Sequence, residues 1–65
     1  MEELRVTAQD VTVRLTCDEV DLFLTALNEL LELLVDWEFA TRTGFEKSEF
    51  RALLEELRAI RGKIG

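Results

Sequence analysis

The chain has 65 residues, with 14 Asp and Glu against 8 Lys and Arg and a net charge of −6. A chain of this length buries only about 60% of the surface its unfolded form exposes, so it makes one small domain (1–65) whose core is marginal alone. Histidine, tyrosine and proline are absent, glycine occurs three times and Cys17 is the single cysteine, which argues against zinc sites, Ser/His or Cys/His nucleophile pairs, glycine-rich phosphate loops and an intrachain disulfide.

No run approaches 18 apolar residues, and the opening Met1-Glu-Glu-Leu4 carries no apolar targeting stretch. These features predict a chain without a membrane span, in a reducing, cytoplasmic setting.

Residues 4–15 read as β. Leu4, Val6 and Ala8 alternate with polar residues, as do Val11, Val13 and Leu15, and the parity switches across Gln9-Asp10. A two-residue turn there predicts a hairpin pairing Val6 with Val13, Leu4 with Leu15 and Ala8 with Val11, all on one face. That register also sets Arg5 against Arg14. The alternative is one long strand, bulged at 9–10, that pairs across a dimer axis.

A helix is predicted over 17–36. Thr16-Cys-Asp-Glu19 fits a capping box, with Thr16 as N-cap and Glu19 at N3. Val20, Phe23, Leu24, Leu27, Leu30, Leu31 and Leu34 then repeat at helical spacing, with Leu22, Ala26, Leu33 and Trp37 on the flank. The apolar arc is about 220° wide, against the ~100° stripe of an ordinary surface helix. Such a helix is expected to be central.

Continuing that helix beyond Asp36 would put Phe39 on its polar face, so 37–45 reads as an irregular connector whose aromatics fold back over the core. A second helix is predicted over 46–61. Phe45 and Phe50 form a hydrophobic staple around an N-cap at Glu46 with Glu49 at N3, Ser48 being the alternative cap. Phe50, Leu53, Leu54, Leu57, Ile60 and Ile64 make its narrow stripe, and Gly62 ends it. The expected architecture is α+β: a β-hairpin or single long strand followed by two antiparallel α-helices, completed by dimerisation.

Charge is distributed unevenly. Residues 1–40 hold ten acids and two bases, whereas 41–65 hold four acids and six bases, giving −8 and +2. The polar arc of the first helix carries Asp18, Asp21, Glu29, Glu32 and Asp36 without a base. Such a face repels itself, and two readings compete. It either steers and binds a basic partner, or it is solvated and paired internally with Lys47, Arg51, Arg58 and Arg61. Four bases on an acidic chain, with no aromatic between them, make nucleic acid an unfavoured partner. Cys17, beside Asp18 and Glu19, reads as a half-buried helix-start residue. No catalytic, metal-binding or cofactor-binding set emerges, so the chain is expected not to be an enzyme.

Ala26-Leu-Asn-Glu29, Trp37-Glu-Phe-Ala-Thr-Arg-Thr-Gly-Phe45 and Arg51-Ala-Leu-Leu-Glu-Glu-Leu57 together resemble a group of short, largely uncharacterised bacterial proteins. That group shares a β segment, an "ALNE" helix, an "EF-x-TR-x-G" connector and a closing "ALL-x-x-L" helix. The likeness covers roughly residues 11–60, and by size and charge such chains are similar to small immunity or inhibitor proteins. The resemblance implies a protein-binding role in which Asp21, Glu29, Glu32 and Asp36 supply steering and rim contacts. Trp37 and Phe39 would then be the aromatic anchors. Independently of the resemblance, the apolar flank Leu22, Ala26, Leu33 and Trp37 is either covered by the second helix or the connector, or it is a self-association seam or a docking groove for a partner. A second resemblance, to ribbon-helix-helix repressors, rests on Val11-Thr-Val-Arg-Leu15 as a DNA-reading strand, with Thr12 and Arg14 outward. Thr43-Gly44 and Ser48-Glu-Phe50 match the start of that family's second helix. This implies a dimeric DNA-binding regulator, although 29 positions separate Leu15 from Gly44, more than that family uses.

Overall fold

The computed structural model describes residues 1–64. Two antiparallel strands, β1 (Glu2–Val6) and β2 (Val11–Arg14), are followed by α1 (Cys17–Leu33), α2 (Asp36–Thr43) and α3 (Lys47–Arg61). The hairpin is therefore formed, and the class is α+β with three helices.

The hairpin register differs from the expected one. Val6 lies opposite Val11, Arg5 opposite Thr12, Glu3 opposite Val13 and Glu2 opposite Arg14, with an irregularity at Leu4. The turn sits one residue earlier because Thr7 organises it. Its N–H donates to the Asp10 carbonyl at 2.9 Å. Its hydroxyl accepts from the N–H groups of Gln9 and Asp10 and donates to the Asp10 carboxylate at 2.8 Å. Arg14 then meets Glu2, in an ion pair of 3.1 Å, rather than Arg5. Near the turn the register moves by two, which preserves parity and keeps Val6, Val11 and Val13 on one face, whereas the further slip at Leu4 brings Glu3 onto that face opposite Val13.

Thr16 caps α1 as expected. Its hydroxyl accepts from the Glu19 N–H at 3.2 Å, while the Glu19 carboxylate accepts from the Thr16 N–H at 3.0 Å. The helix stops three residues before the expected end. Leu34 and Val35 are both extended (φ −100°, ψ 135° and φ −73°, ψ 162°), and a new helix begins at Asp36. The expected irregular connector is thus α2. The break resets the helical phase and turns Phe39 inward instead of leaving it on a polar face. Gly44 ends α2 at φ +79°, the left-handed conformation that costs glycine least, with its N–H on the Ala40 carbonyl.

At the start of α3 the Glu46 N–H donates to the Glu49 carboxylate at 2.8 Å. Phe45 and Phe50 form the staple at 6.3 Å between ring centroids, and Ser48 lies inside the helix. Gly62 follows Arg61 in right-handed helical geometry, so α3 ends without the left-handed glycine cap that its position suggested.

Three side chains form the closed core, one from each helix: Val20 is 2% exposed, Phe39 0% and Leu54 5%. Phe39 meets Phe50 edge-on, with centroids 4.6 Å apart and planes at 89°. Both other helices pack on α3, while the strands pack chiefly on each other. The central element is therefore α3, not α1, and the broad apolar arc of α1 is only partly covered. The result is a flat molecule of 36 × 32 × 15 Å.

Candidate interaction surface

Three apolar regions remain in solvent, one of them at α3, where Phe45, Phe50 and Leu53 line a groove and Phe45 and Leu53 are exposed. The first comprises the hairpin and the N-terminal half of α1. Every residue from Met1 to Thr12 is exposed. Val6 and Val11, directly opposed on one face, are 61% and 58% exposed, and Leu4 is also exposed. At the residue that leads into β1, Met1 joins Glu19, Leu22, Phe23 and Ala26 in lining a shallow groove of about 440 Å³. Leu22 and Ala26 also border a second groove with Asp18, Asp21 and Thr25. The Met1 amino group contacts the Glu19 carboxylate and, together with the Thr16 N–H, holds it below the usual carboxylate range.

The second region lies where α1 meets α2. Leu33, Val35 and Trp37 are all exposed, Trp37 to 74%. Leu22 and Leu33 stand 11 residues apart on the same flank of α1, about 16 Å along its axis. The expected self-association seam therefore stretches over two separate patches rather than one.

Of the residues expected to bind a partner, Phe39 is excluded as a surface anchor because it is wholly buried. Its burial follows from the break at Leu34–Val35, which periodicity alone did not place. Trp37, two residues earlier, points the other way and stays in water. Two acids of the expected steering set are engaged internally. Asp21 accepts from Arg61 Nε at 2.8 Å, and Lys47 Nζ lies 3.2 Å from Asp36. The Lys47 stem is nearly covered and its ammonium lies 6.0 Å from the Phe39 ring centroid. The internal pairing reading thus holds for these two acids.

Glu29 and Glu32 differ. Neither makes an ion pair among the described residues, and Glu32 accepts only from the Asn28 amide at 3.4 Å. Glu32 precedes Trp37 by five residues and Glu29 by eight, both on the other side of the break at Leu34–Val35. Arg14, the expected DNA-reading residue, is engaged by Glu2 at 3.1 Å, and β2 is paired along one edge by β1. Cys17 is free and half-buried.

Sequence reasoning overlooked Met1 and Phe23 as groove residues. Their signal was present: Phe23 belongs to the wide α1 arc, but the pattern does not state which part of such an arc the chain itself covers. Among the described residues no group of three acidic or thiol side chains converges as a metal site, and no helix is long and apolar enough to cross a membrane.

No family model matches the chain, and neither the curated proteins nor the solved structures yield a match.

Proposed function

We propose that the chain is a non-enzymatic, acidic protein-interaction module of the immunity or inhibitor kind, working as a homodimer that occludes a basic partner. The observation that carries this reading is Trp37. It is a large aromatic held 74% exposed on the first turn of a helix, four residues after the exposed Leu33. Its sequence neighbours Asp36 and Glu38 are paired with Lys47 and Arg42, which leaves Glu29 and Glu32 on α1 as the expected steering acids without a counter-charge among the described residues. Large aromatics dominate interface energetics when they enter a partner's pocket. Rim charges mainly set the rate and salt dependence of association.

In this mechanism Glu29 and Glu32 supply the long-range attraction, while Asp21 and Asp36, already paired, contribute less. Trp37 and Leu33 then dock and exclude water. The engagement of Arg14 by Glu2, and the net charge of −6, favour this over duplex DNA binding.

Trp37 is the single tryptophan of the chain, so its fluorescence reports docking directly. Titration with a panel of basic nuclease domains is expected to yield at least one that shifts its emission to the blue. For that domain, Glu29→Lys with Glu32→Lys slows association and flattens its salt dependence while the far-UV circular dichroism is unchanged. An association rate indifferent to both substitutions would remove the acidic-face mechanism, and a panel without a binder would remove the class of partner.

A further inference from the structure

We infer that the exposed hairpin face and the N-terminal half of α1 form one isologous interface, with a second copy of this chain as its occupant. This rests on the homodimer reading above and locates it, well away from Trp37.

Three observations converge on a permanent occupant. First, Val6 and Val11 occupy a strand face that no helix of the chain covers, and Leu4, at the irregularity in β1, is exposed as well. A lone two-stranded ribbon is marginal in water, and a third strand or a packed helix is what normally stabilises it. Second, Leu22, Phe23 and Ala26 line a second apolar surface, a groove that reaches the base of the hairpin through Met1, the residue before β1. Third, the area is wrong for a free monomer. The accessible surface is 5233 Å², whereas a 7.5 kDa monomer is expected to expose about 4,200 Å². The excess of about 1,000 Å² compares with the ~800 Å² that each side of a standard specific interface buries. The radius of gyration agrees: 13.4 Å, the value for a domain of about 100 residues rather than 65.

A second copy fits better than a foreign protein. The hairpin needs its cover whenever the chain is folded, and only the chain itself is present in proportion at every moment. An interface built on a two-fold axis sets each patch against itself, which an apolar patch tolerates and a charged one does not. Of the acids beside this patch, Glu19 is countered by the Met1 amino group and Asp21 by Arg61, while Asp18 and Glu3 make no ion pair among the described residues. Facing copies bring together Leu22, Phe23 and Val6 with Glu19 and Asp21 already neutralised within each copy.

Sedimentation equilibrium of the whole chain tests the assignment. The native protein is expected to be a dimer at micromolar concentration. Leu22→Lys, at a position 70% exposed in the single chain, is expected to weaken the dimer about a hundredfold, since both copies lose a buried leucine. Leu33→Lys, on the same helix but in the second region, leaves dimerisation unchanged. A native chain that sediments as a monomer overturns the inference, and so does a dimer that Leu33→Lys breaks and Leu22→Lys does not. Should Leu22→Lys fail to fold, isotope-filtered NOEs in a mixed labelled and unlabelled native sample decide instead. Contacts between copies at Leu22, Phe23 and Val6 support the interface, and their absence in a dimer places it elsewhere. Loss of nuclease-domain docking in Trp37→Ala bears on the Trp37 surface alone, so the two readings fail separately.

Discussion

Phe39 and Val6 each sit in an apolar cluster, yet one is wholly buried and the other is 61% exposed. The difference lies in what the chain brings back to each. At the α2–α3 corner, a glycine in left-handed geometry reverses the chain. Thr43 links the two helices, donating to the Phe39 carbonyl at 2.7 Å and accepting from the Phe45 N–H at 3.1 Å. Phe50 and the Lys47 stem then close over Phe39 from the neighbouring helix. The hairpin lacks such a return. Its turn is well satisfied and its strands are paired, but the chain runs straight from β2 into α1 and never folds another element over the sheet. Local turns and caps are hydrogen-bonded on both sides of the molecule, but only the α2–α3 side encloses an aromatic ring, and even there Phe45 and Leu53 stay exposed.

Removing the central ring should break this contrast most severely. Phe39→Ala deletes the most deeply buried side chain, and a buried Phe→Ala change costs about 3–5 kcal/mol, a large share of the stability of a small domain. Chemical denaturation is expected to show the variant largely unfolded. A loss below about 1 kcal/mol would mean that the corner is not the stabilising half. Next in size is Gly44→Ala. A Cβ there meets nothing within 4 Å, so the penalty is purely conformational, about 1–2 kcal/mol for a side chain in left-handed geometry. An unchanged denaturation midpoint would show that the α2–α3 turn relaxes without it.

The same contrast explains which parts of the structure were legible in the sequence. Local chemistry read well. Thr16-Cys-Asp-Glu19 gave the α1 cap, Phe45 and Phe50 gave the staple, and alternation gave the hairpin with its apolar face. What failed depended on events one period away. The hairpin register turned on the Thr7 hydroxyl and the Glu2–Arg14 pair rather than on the valines, which satisfy either register equally. Periodicity correctly ended α1 before Phe39, but eight residues with one dominant apolar side chain are too few to announce a helix by period, so α2 read as irregular. The candidate surface divided in the same way. Spacing carried on from α1 puts Trp37 on the apolar flank and Phe39 on the polar face, and the reset phase at Leu34–Val35 reverses the two, sending Phe39 inward and Trp37 into solvent. Exposure of the α1 flank was foreseeable from an arc too wide for one neighbour, whereas the identity of the uncovered part required the position of α3.

The cap of α1 sharpens the comparison at a smaller scale, because it joins the closed and open halves. Thr16→Ala removes the hydroxyl that accepts from the Glu19 N–H and is expected to cost about 1 kcal/mol. Glu19 adds a pH dependence. The Met1 amino group first, and the Thr16 N–H second, hold its folded carboxyl below the ordinary value of 4.5. The contribution is therefore fully present above that value and is lost as pH falls through the lower folded one. Glu19→Gln should be less stable than the native chain at neutral pH, with the gap closing as pH falls well below 4.5. A gap that stays constant across that range would show that the charge of Glu19 plays no part in the cap.

The smallest effect is expected at the bridge between α1 and α3. Arg61 Nε and Asp21 Oδ1 are 2.8 Å apart, but their side chains remain 36% and 50% exposed, so water and salt screen most of the attraction. Asp21→Asn keeps the shape and a hydrogen-bond acceptor while removing the charge. Its denaturation midpoint should move less than that of Thr16→Ala, and the shift should vanish as salt rises. A larger change that persists in high salt would mean that the bridge fixes how α1 sits on α3. Such a result would matter for the open side as well, because the angle between these helices determines how far Leu22 and Phe23 project beside the hairpin. A screened, minor bridge instead leaves that geometry to Val20 and Leu54, the two buried side chains that α1 and α3 contribute to the core.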